Sequence, residues 1–201
     1  DLHIPSHSFP HDALPISVSV VLAKGEGMTA IPLTEDYTMI ESLLEVISPA
    51  LMTVPGSSIG KGILKAKESF PSNYSTAGRI WVFTDGEETD NQLKNALTEC
   101  ITSGIPVTII GFGAEAESQV LAGDGKTYVS SALRSEKLQK TIEEVKKNLS
   151  YYKNQTPITF INSTEKGSGM KLLNQLGENN SQIITYEAKP VPRYKFFLLL
   201  A

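Results

Sequence analysis

A cluster of carboxylates directly follows the apolar segment of residues 80–83. Asp85 comes first, and Gly86 separates it from Glu87, Glu88 and Asp90. A continuous apolar run of this kind predicts a buried strand. Carboxylates at the end of a buried strand indicate either a divalent-cation site or a turn that reaches the solvent.

A second loop carries hydroxyl groups. Ser57 and Ser58 follow a Pro-Gly pair and stand ahead of a predicted helix that begins at about Ser58. Magnesium prefers oxygen ligands and keeps several waters, so a hydroxyl loop opposite an aspartate loop meets part of its demand. Ser57 and Asp85 are therefore candidate Mg²⁺ ligands, and a pair of plain surface turns is the alternative.

The other polar residues near Asp85 have a simpler interpretation. Thr84, Glu87 and Glu88 stand ahead of a predicted helix that Asp90 opens. Acids stabilise a helix start, whose partial charge is positive. We therefore interpret these three side chains as helix-start and solvated groups rather than as ligands.

The elements that must position these loops alternate between strand and helix. Strands are predicted at the segments VSVVLA, RIWVFT, IPVTIIGFG and ITFIN, and helices at 35–47, from about 58, at 90–104, at 135–149 and at 164–176. This alternation indicates the α/β class, with a doubly wound and mostly parallel sheet. Ligands of such folds bind outside the carboxyl ends of the strands, where Asp85 is expected.

Several boundaries are predicted from capping and turn residues. Thr34 and Ser135 are candidate helix N-caps, and Gly104 is a candidate left-handed residue after a helix. The segment MTAIPLT is predicted to be a hairpin partner at a sheet edge because it contains Pro32. The segment GDGKTYVS carries a turn signal and a possible strand pair.

Composition excludes some classes of protein. The chain has 201 residues, 40% of them hydrophobic and 20% charged, which is ordinary for a globular domain. Its net charge of -4 argues against a nucleic-acid partner, which requires a basic patch. Cys100 is the single cysteine, so no internal disulfide can form, and its apolar neighbours favour a buried structural role.

Residues 1–17 are out of character with the rest. They hold all three histidines, His3, His7 and His11, and show no helical or strand period. The string resembles the translation of a short-read sequencing adapter. We therefore interpret 1–17 as non-native, exclude it from the fold, and expect it to pack on nothing specific.

The remainder resembles the von Willebrand factor A (VWA) family, and within it the Bat branch of bacterial membrane-anchored proteins named for aerotolerance operons. The segments FTDGEETD and VPGSSIGKGI are similar to the family's aspartate loop and threonine loop. The stretch from AIPLTEDY to SSIG is similar to the Bat branch, and KPVPRYKFFLLLA resembles its junction with a C-terminal membrane helix.

The resemblance implies a metal-ion-dependent adhesion site. In the family a DxSxS motif after the first, central strand joins the two loops, and here Ser57 stands for the threonine and Asp85 for the aspartate. DxSxS does not occur in this sequence. The resemblance therefore implies a VWA or Rossmann-like domain at 18–188 that lacks its first strand and first helix, and residues 189–201 as a juxtamembrane segment and the start of a membrane helix.

The function implied is that of a binding module. The resemblance implies a membrane-anchored VWA protein that engages protein partners, other Bat-operon proteins among them, through a Mg²⁺ site that is incomplete here, and that is not an enzyme. The alternative is a metal-assisted phosphotransfer or hydrolase domain that uses Asp85. A fragment without activity is a third interpretation.

Two features indicate different sides of the membrane for the domain. The resemblance implies the bacterial inner membrane and a periplasmic domain. By contrast, Lys189, Arg193 and Lys195 ahead of the apolar tail favour a cytoplasmic one. We expect Phe196–Ala201 to be helical and poorly covered by the domain.

Overall fold

The structure is a computed structural model that describes residues 17–48, 51–71, 78–121, 126–149, 157–163 and 197–200. Its strands are β1 (Val18–Lys24), β2 (Glu26–Thr34), β3 (Ile80–Thr84), β4 (Val107–Gly111), β5 (Ser118–Leu121), β6 (Tyr128–Ser131), β7 (Ile158–Asn162) and β8 (Phe197–Leu200). Its helices are α1 (Tyr37–Val46), α2 (Ile59–Lys67), α3 (Leu93–Thr102) and α4 (Ser135–Asn148).

Six of the described strands form one sheet in the order β2-β1-β8-β3-β4-β7. β3, β4 and β7 pair in parallel, while β2 pairs antiparallel with β1. β8 is antiparallel to both β1 and β3, so β1 runs in the same direction as β3, β4 and β7. The α/β class is confirmed, and the carboxyl ends of these four strands share one edge of the sheet.

Helices cover both faces of the sheet, as a doubly wound fold requires. On one face α2, α3 and α4 contribute to a core with the inward residues of the strands. This core includes Ile63, Leu97 and Leu138 from the helices and Ile80, Val82, Val107 and Ile109 from the strands. On the other face α1 packs on β1 and β2, in a smaller core of Val18, Val20, Leu22, Ile31, Ile40 and Met52.

Cys100 lies within the larger core and is fully buried. Burial raises the pKa of its thiol to about 12, because the low-dielectric surroundings disfavour the thiolate. The predicted structural role is consistent with this environment, since a thiol held protonated is a poor nucleophile.

Two helix caps differ from the prediction. Asp36, not Thr34, caps α1, because its carboxylate accepts a hydrogen bond from the Met39 amide. Thr34 lies two residues before this N-cap, and its hydroxyl accepts a hydrogen bond from the Asp36 amide. Ser135 is the first residue of α4 and Arg134 is its N-cap. Gly104 follows α3 with a φ of 73°, as predicted.

The smaller strand predictions are confirmed. β2 is an edge strand of the main sheet, and β5 and β6 pair as a separate antiparallel hairpin. Ser58 is the N-cap of α2, in agreement with the predicted start of that helix.

The expected helix at Phe196–Ala201 is wrong over its central residues. Phe197–Leu200 forms strand β8, which pairs with β1 on one side and β3 on the other. Backbone amide and carbonyl groups on the facing edges of β1 and β3 need partners, and an apolar segment in extended form supplies them to both edges at once. Four apolar residues alone do not distinguish a strand from a helix, so the sequence could not decide.

Some predictions fall on residues outside the described ranges. These are the structure of 1–16, the helix at 164–176 and the basic segment before the apolar tail. Among the described helices, none is long and apolar enough to cross a membrane.

The larger core should carry much of the stability of the domain. Leu97 is completely buried between α3 and the sheet. We expect Leu97→Ala to lower the free energy of unfolding by about 2–5 kcal/mol, because it removes buried methyl groups and leaves a cavity. Chemical denaturation monitored by circular dichroism measures this loss. Val46→Ala on the exposed side of α1 is the control and should change it by less than about 0.5 kcal/mol.

Candidate loop site at the carboxyl edge of the sheet

Asp85 lies directly after β3, at the sheet edge where the sequence places it. One carboxylate oxygen accepts a hydrogen bond from the Glu87 amide at 3.0 Å, and the other accepts from the Ser131 hydroxyl at 3.3 Å. Its carbonyl oxygen accepts from the Arg134 amide at 3.0 Å. Asp85 therefore joins the end of β3 to the end of β6 and the start of α4.

The turn after Asp85 depends on Gly86, whose φ is 80°. Residues with a Cβ rarely adopt this left-handed conformation. A Cβ at Gly86 would also lie 2.9 Å from the Leu138 side chain. The Asp-Gly pair thus lets the chain reverse tightly against α4, and the Gly86 amide donates back to the Thr84 hydroxyl at 3.0 Å.

Residues 53–58, the serine loop, contact residues 85–92, the acidic loop. The Thr89 amide and hydroxyl both donate to the Ser57 carbonyl oxygen, each at 2.9 Å. The Ser57 amide in turn donates to the Thr89 hydroxyl at 3.3 Å. All three bonds use backbone atoms of Ser57, so its hydroxyl is not part of this junction.

A second junction between the loops uses side chains. The Ser58 hydroxyl donates to the Asp90 carboxylate at 2.5 Å and accepts from the Lys61 amide at 3.3 Å. The Lys61 ammonium lies 3.4 Å from the same Asp90 oxygen and donates to the Gly25 carbonyl at 2.9 Å. Ser58 caps α2 and at the same time binds the acidic loop, so the end of β1, the start of α2 and the acidic loop are held together.

Glu88 supports the starts of two helices. Its carboxylate accepts a hydrogen bond from the Leu93 amide at 2.6 Å, at the first residue of α3. Burial raises the pKa of Glu88, and hydrogen bonds from the Leu93 and Gly60 amides oppose this shift. The interpretation of Glu88 as a helix-start residue agrees with these contacts.

Close packing explains why the two loops meet. A Cβ at Gly60 in the first turn of α2 would lie 2.3 Å from the Gln92 backbone. Only glycine allows the acidic loop to approach α2 at this distance. Sequence reasoning missed this approach, as it missed Thr89 and Asp90 as partners of the serines. Both segments, SSIGKG and TD, are apparent in the sequence. Their spacing along the chain does not indicate which residue of one segment binds which residue of the other.

The two predicted ligands therefore lie on loops of one sheet edge but have different partners. Ser57 binds Thr89, whereas Asp85 binds Glu87, Ser131 and Arg134. Within the described residues no group of three or more His, Cys, Asp and Glu side chains is placed to hold a metal ion. One serine hydroxyl and one carboxylate do not by themselves supply a near-octahedral magnesium shell, so these two residues do not fit a complete Mg²⁺ site.

The α/β sheet, its helices on both faces and its loops at the carboxyl edge define the class of a Rossmann-like domain. The sequence pattern of the von Willebrand factor type A domain matches residues 8–145, more than half of the chain. The chain belongs to the von Willebrand factor type A domain family. Domains of this family are typically protein-interaction modules rather than enzymes, and they commonly bind a divalent metal.

The solved structures that resemble the chain include two from Bacteroides. One is an aerotolerance-related membrane protein from Bacteroides fragilis, with 24% identity, a TM-score of 0.64, and coverage of 82% of this chain and 80% of that one. The other is the conserved hypothetical protein BatB from Bacteroides thetaiotaomicron, with 23% identity, a TM-score of 0.66, and coverage of 81% and 78%. These likenesses support the Bat-type VWA fold. No curated protein matches the chain.

The family match begins at residue 8 and so includes ten residues of the segment 1–17. The boundary at residue 18 stays a prediction, as do the limits at 188 and 189.

The two serines offer a matched pair for testing the junctions. Ser58→Ala removes the cap of α2 and the bond to Asp90, so we expect it to lower the free energy of unfolding by about 1–2 kcal/mol. Ser57→Ala leaves the backbone bonds to Thr89 in place and should cost less than about 0.5 kcal/mol. Urea denaturation of both variants measures the difference, and equal losses would contradict this assignment of roles.

Glu88 predicts a dependence of stability on pH. The pKa of its carboxyl is raised in the folded state above the ordinary value of 4.5, so its contribution is fully present below pH 4.5 and is lost as the pH rises through the raised pKa. Glu88→Gln cannot ionise. The parent protein should therefore lose stability relative to this variant as the pH rises from 4.5 through the raised pKa.

Thermal unfolding of both proteins at several pH values tests this prediction. Glu41→Gln, at an exposed acid in the middle of α1, is the control and should follow the parent across the range. A constant difference between the parent and Glu88→Gln at all pH values would show that Glu88 does not titrate as described.

Proposed function

We propose that this domain is a protein-interaction module whose binding surface is the serine loop and the acidic loop. Membership of the VWA family supports an interaction role, and the fold places both loops at the carboxyl edge of the sheet. The observation that carries the proposal is the pair of junctions between the loops. The bonds Ser57–Thr89 and Ser58–Asp90 give the two loops one fixed arrangement, which a binding surface needs.

We further propose that Ser57 and Asp85 contribute to a Mg²⁺ site in a protein that also supplies DxSxS ligands. The support is their place on the two loops that match the family motif. A bound Mg²⁺ would supply positive charge for a partner's carboxylate. In this chain Asp85 would provide the anionic oxygen, and its bonds to the Glu87 amide and Ser131 would orient that oxygen.

Nothing favours the alternative of a hydrolase that uses Asp85. A general base or a nucleophile with an adjacent base is needed for such chemistry. No histidine follows residue 11, and the G-x-x-x-x-G-K-[ST] motif does not occur in the sequence. Residues 56–60 fit G-x-S-x-G, but a nucleophile elbow requires a strand directly before the serine, and this segment follows a loop. The Ser58 hydroxyl caps α2 and donates to Asp90 rather than to a base such as histidine. We therefore propose that the domain is not an enzyme.

Partners and location follow from the Bat-type likeness. We propose that the partners are proteins, other Bat-operon products among them, and that nucleic acid is not a partner. The similar structure from Bacteroides fragilis is described as a membrane protein. On that support we propose that the intact protein is anchored in a bacterial inner membrane by a helix beyond the described domain.

Magnesium binding tests the site. We expect isothermal titration of Mg²⁺ into this chain to show no binding or only millimolar affinity, because two ligands leave the shell incomplete. A version with an upstream strand and D-x-S-x-S should bind at least about tenfold more tightly, since added anionic and hydroxyl ligands complete the coordination.

Variants of the restored version assign the ligands. Ser57→Ala and Asp85→Asn should each weaken its binding of Mg²⁺. Asp36→Asn is the matched control, because Asp36 caps α1 away from these loops and asparagine also caps helices. Equal micromolar affinity of the restored and unrestored proteins would contradict the proposed site.

A further inference from the structure

Four large apolar side chains of helix α1 are exposed. Ile40 is its buried residue, while Tyr37 and Met39 are each 48% exposed and Val46 is 65% exposed. Leu44 is also exposed. The adjacent edge strand β2 adds the exposed side chains Met28 and Leu33. Scattered surface leucines are normal, but a group on one helix and its neighbouring strand can mark an interaction surface.

Helical geometry places these side chains beside the buried stripe. Ile40, Leu43 and Ile47 pack against β1 and β2. At 100° per residue, Tyr37 and Leu44 lie together along one margin of that stripe, and Met39 and Val46 lie along the other. The apolar face of α1 is therefore wider than the part of it that packs against β1 and β2, and both margins are left exposed.

Lys24 of β1 reaches the smaller core, where its ammonium donates to the Met52 carbonyl oxygen at 2.7 Å. The charge of α1 and of the residues that flank it in sequence, by contrast, has one sign. Between residues 25 and 60 the chain has five acids and no Lys, Arg or His. The acids are Glu26, Glu35, Asp36, Glu41 and Glu45, and all are exposed. By contrast, several acids of the opposite layer have basic partners, as in Lys67–Glu99 and Lys94–Glu144.

This charge decides among possible occupants. A second copy that docked by the same face would set these acids against their own counterparts, which costs free energy. An anionic membrane surface would repel them as well. A cationic segment would gain from both the charge and the apolar contact.

We propose that α1 and the edge of β2 form a second docking surface, for an amphipathic helix of a partner protein that carries Lys or Arg beside a leucine stripe. On this surface an acid lies between two apolar side chains, in the row Tyr37, Glu41 and Leu44. Residues spaced in this way lie along one side of a helix, where a second helix packed against it can contact all three. This surface lies on the opposite face of the sheet from α2. It is thus separate from the junction of the serine and acidic loops, and the inference does not depend on the function proposed for them.

A synthetic peptide probe tests the inference on the whole chain. The peptide is an amphipathic helix with a leucine stripe flanked by lysines, labelled for fluorescence anisotropy. We expect saturable binding that weakens as salt is raised, because charge attraction contributes. Glu41→Lys/Glu45→Lys should weaken binding at least about tenfold, and Leu44→Ser should weaken it with an unchanged salt dependence.

Matched controls separate this surface from general attraction of a cation. Glu136→Lys/Glu143→Lys makes the same change of charge on exposed positions of α4 and should alter affinity less than about twofold. A peptide of the same composition in scrambled order, which has no leucine stripe, should bind at least about tenfold more weakly than the amphipathic one.

Several outcomes would overturn the inference. These are equal binding of both peptides, equal loss in the α4 and α1 charge variants, and dimerisation in light scattering that Leu44→Ser abolishes. Binding to zwitterionic vesicles that Leu44→Ser abolishes would also count against it, because the occupant would then be a lipid surface. Circular dichroism should show that the variants are folded, as expected for exposed positions. Should the charge reversal unfold the chain, Glu41→Gln/Glu45→Gln gives the same comparison.

Discussion

Burial of β3 and β4 beneath α2, α3 and α4 is the constraint on which the other features depend. Ile80, Val107 and Ile109 are completely buried against these helices, and such burial is the main favourable term in folding. With the strands fixed, their carboxyl ends meet at one edge. With α2 and α3 fixed on the same face, their first turns also meet at that edge. The two loops are close because the core beneath them leaves no other arrangement.

The positions of the carboxylates after β3 also follow from the packing of α2 and α3 on the sheet. Two helices begin beside the acidic loop, and their first amides lack partners within the helix. Glu88 accepts from the first amide of α3, and Asp90 accepts from Ser58, which caps α2. Asp85 closes the turn and reaches β6. A buried strand ends in acids here because acids satisfy the helix starts around it, whether or not a cation also binds.

Periodicity predicted the elements well, since apolar runs and helical stripes record local burial. The strands at RIWVFT and ITFIN and the helix start at Ser58 follow from such patterns. Pairings distant in sequence could not be predicted, because Ser57–Thr89 and Ser58–Asp90 join residues whose proximity is set by the core. The strand at Phe197–Leu200 was missed for a related reason, since its form depends on the edges of β1 and β3. The sequence therefore predicted where the two loops of the candidate site lie, but it did not predict which residues their side chains and backbones bind.

The two layers of the fold differ in how they use charge, and this difference follows from packing. On the side of α2, α3 and α4, helices contact one another, so Lys67 of α2 can reach Glu99 of α3 and Lys94 of α3 can reach Glu144 of α4. In the described residues α1 has no neighbouring helix on its own face. Within the part of the chain that the structure describes, no adjoining helix brings a basic residue to Glu41 and Glu45 or covers the apolar margins beside them. A helix that docks there would give α1 the kind of neighbour that α2, α3 and α4 give one another.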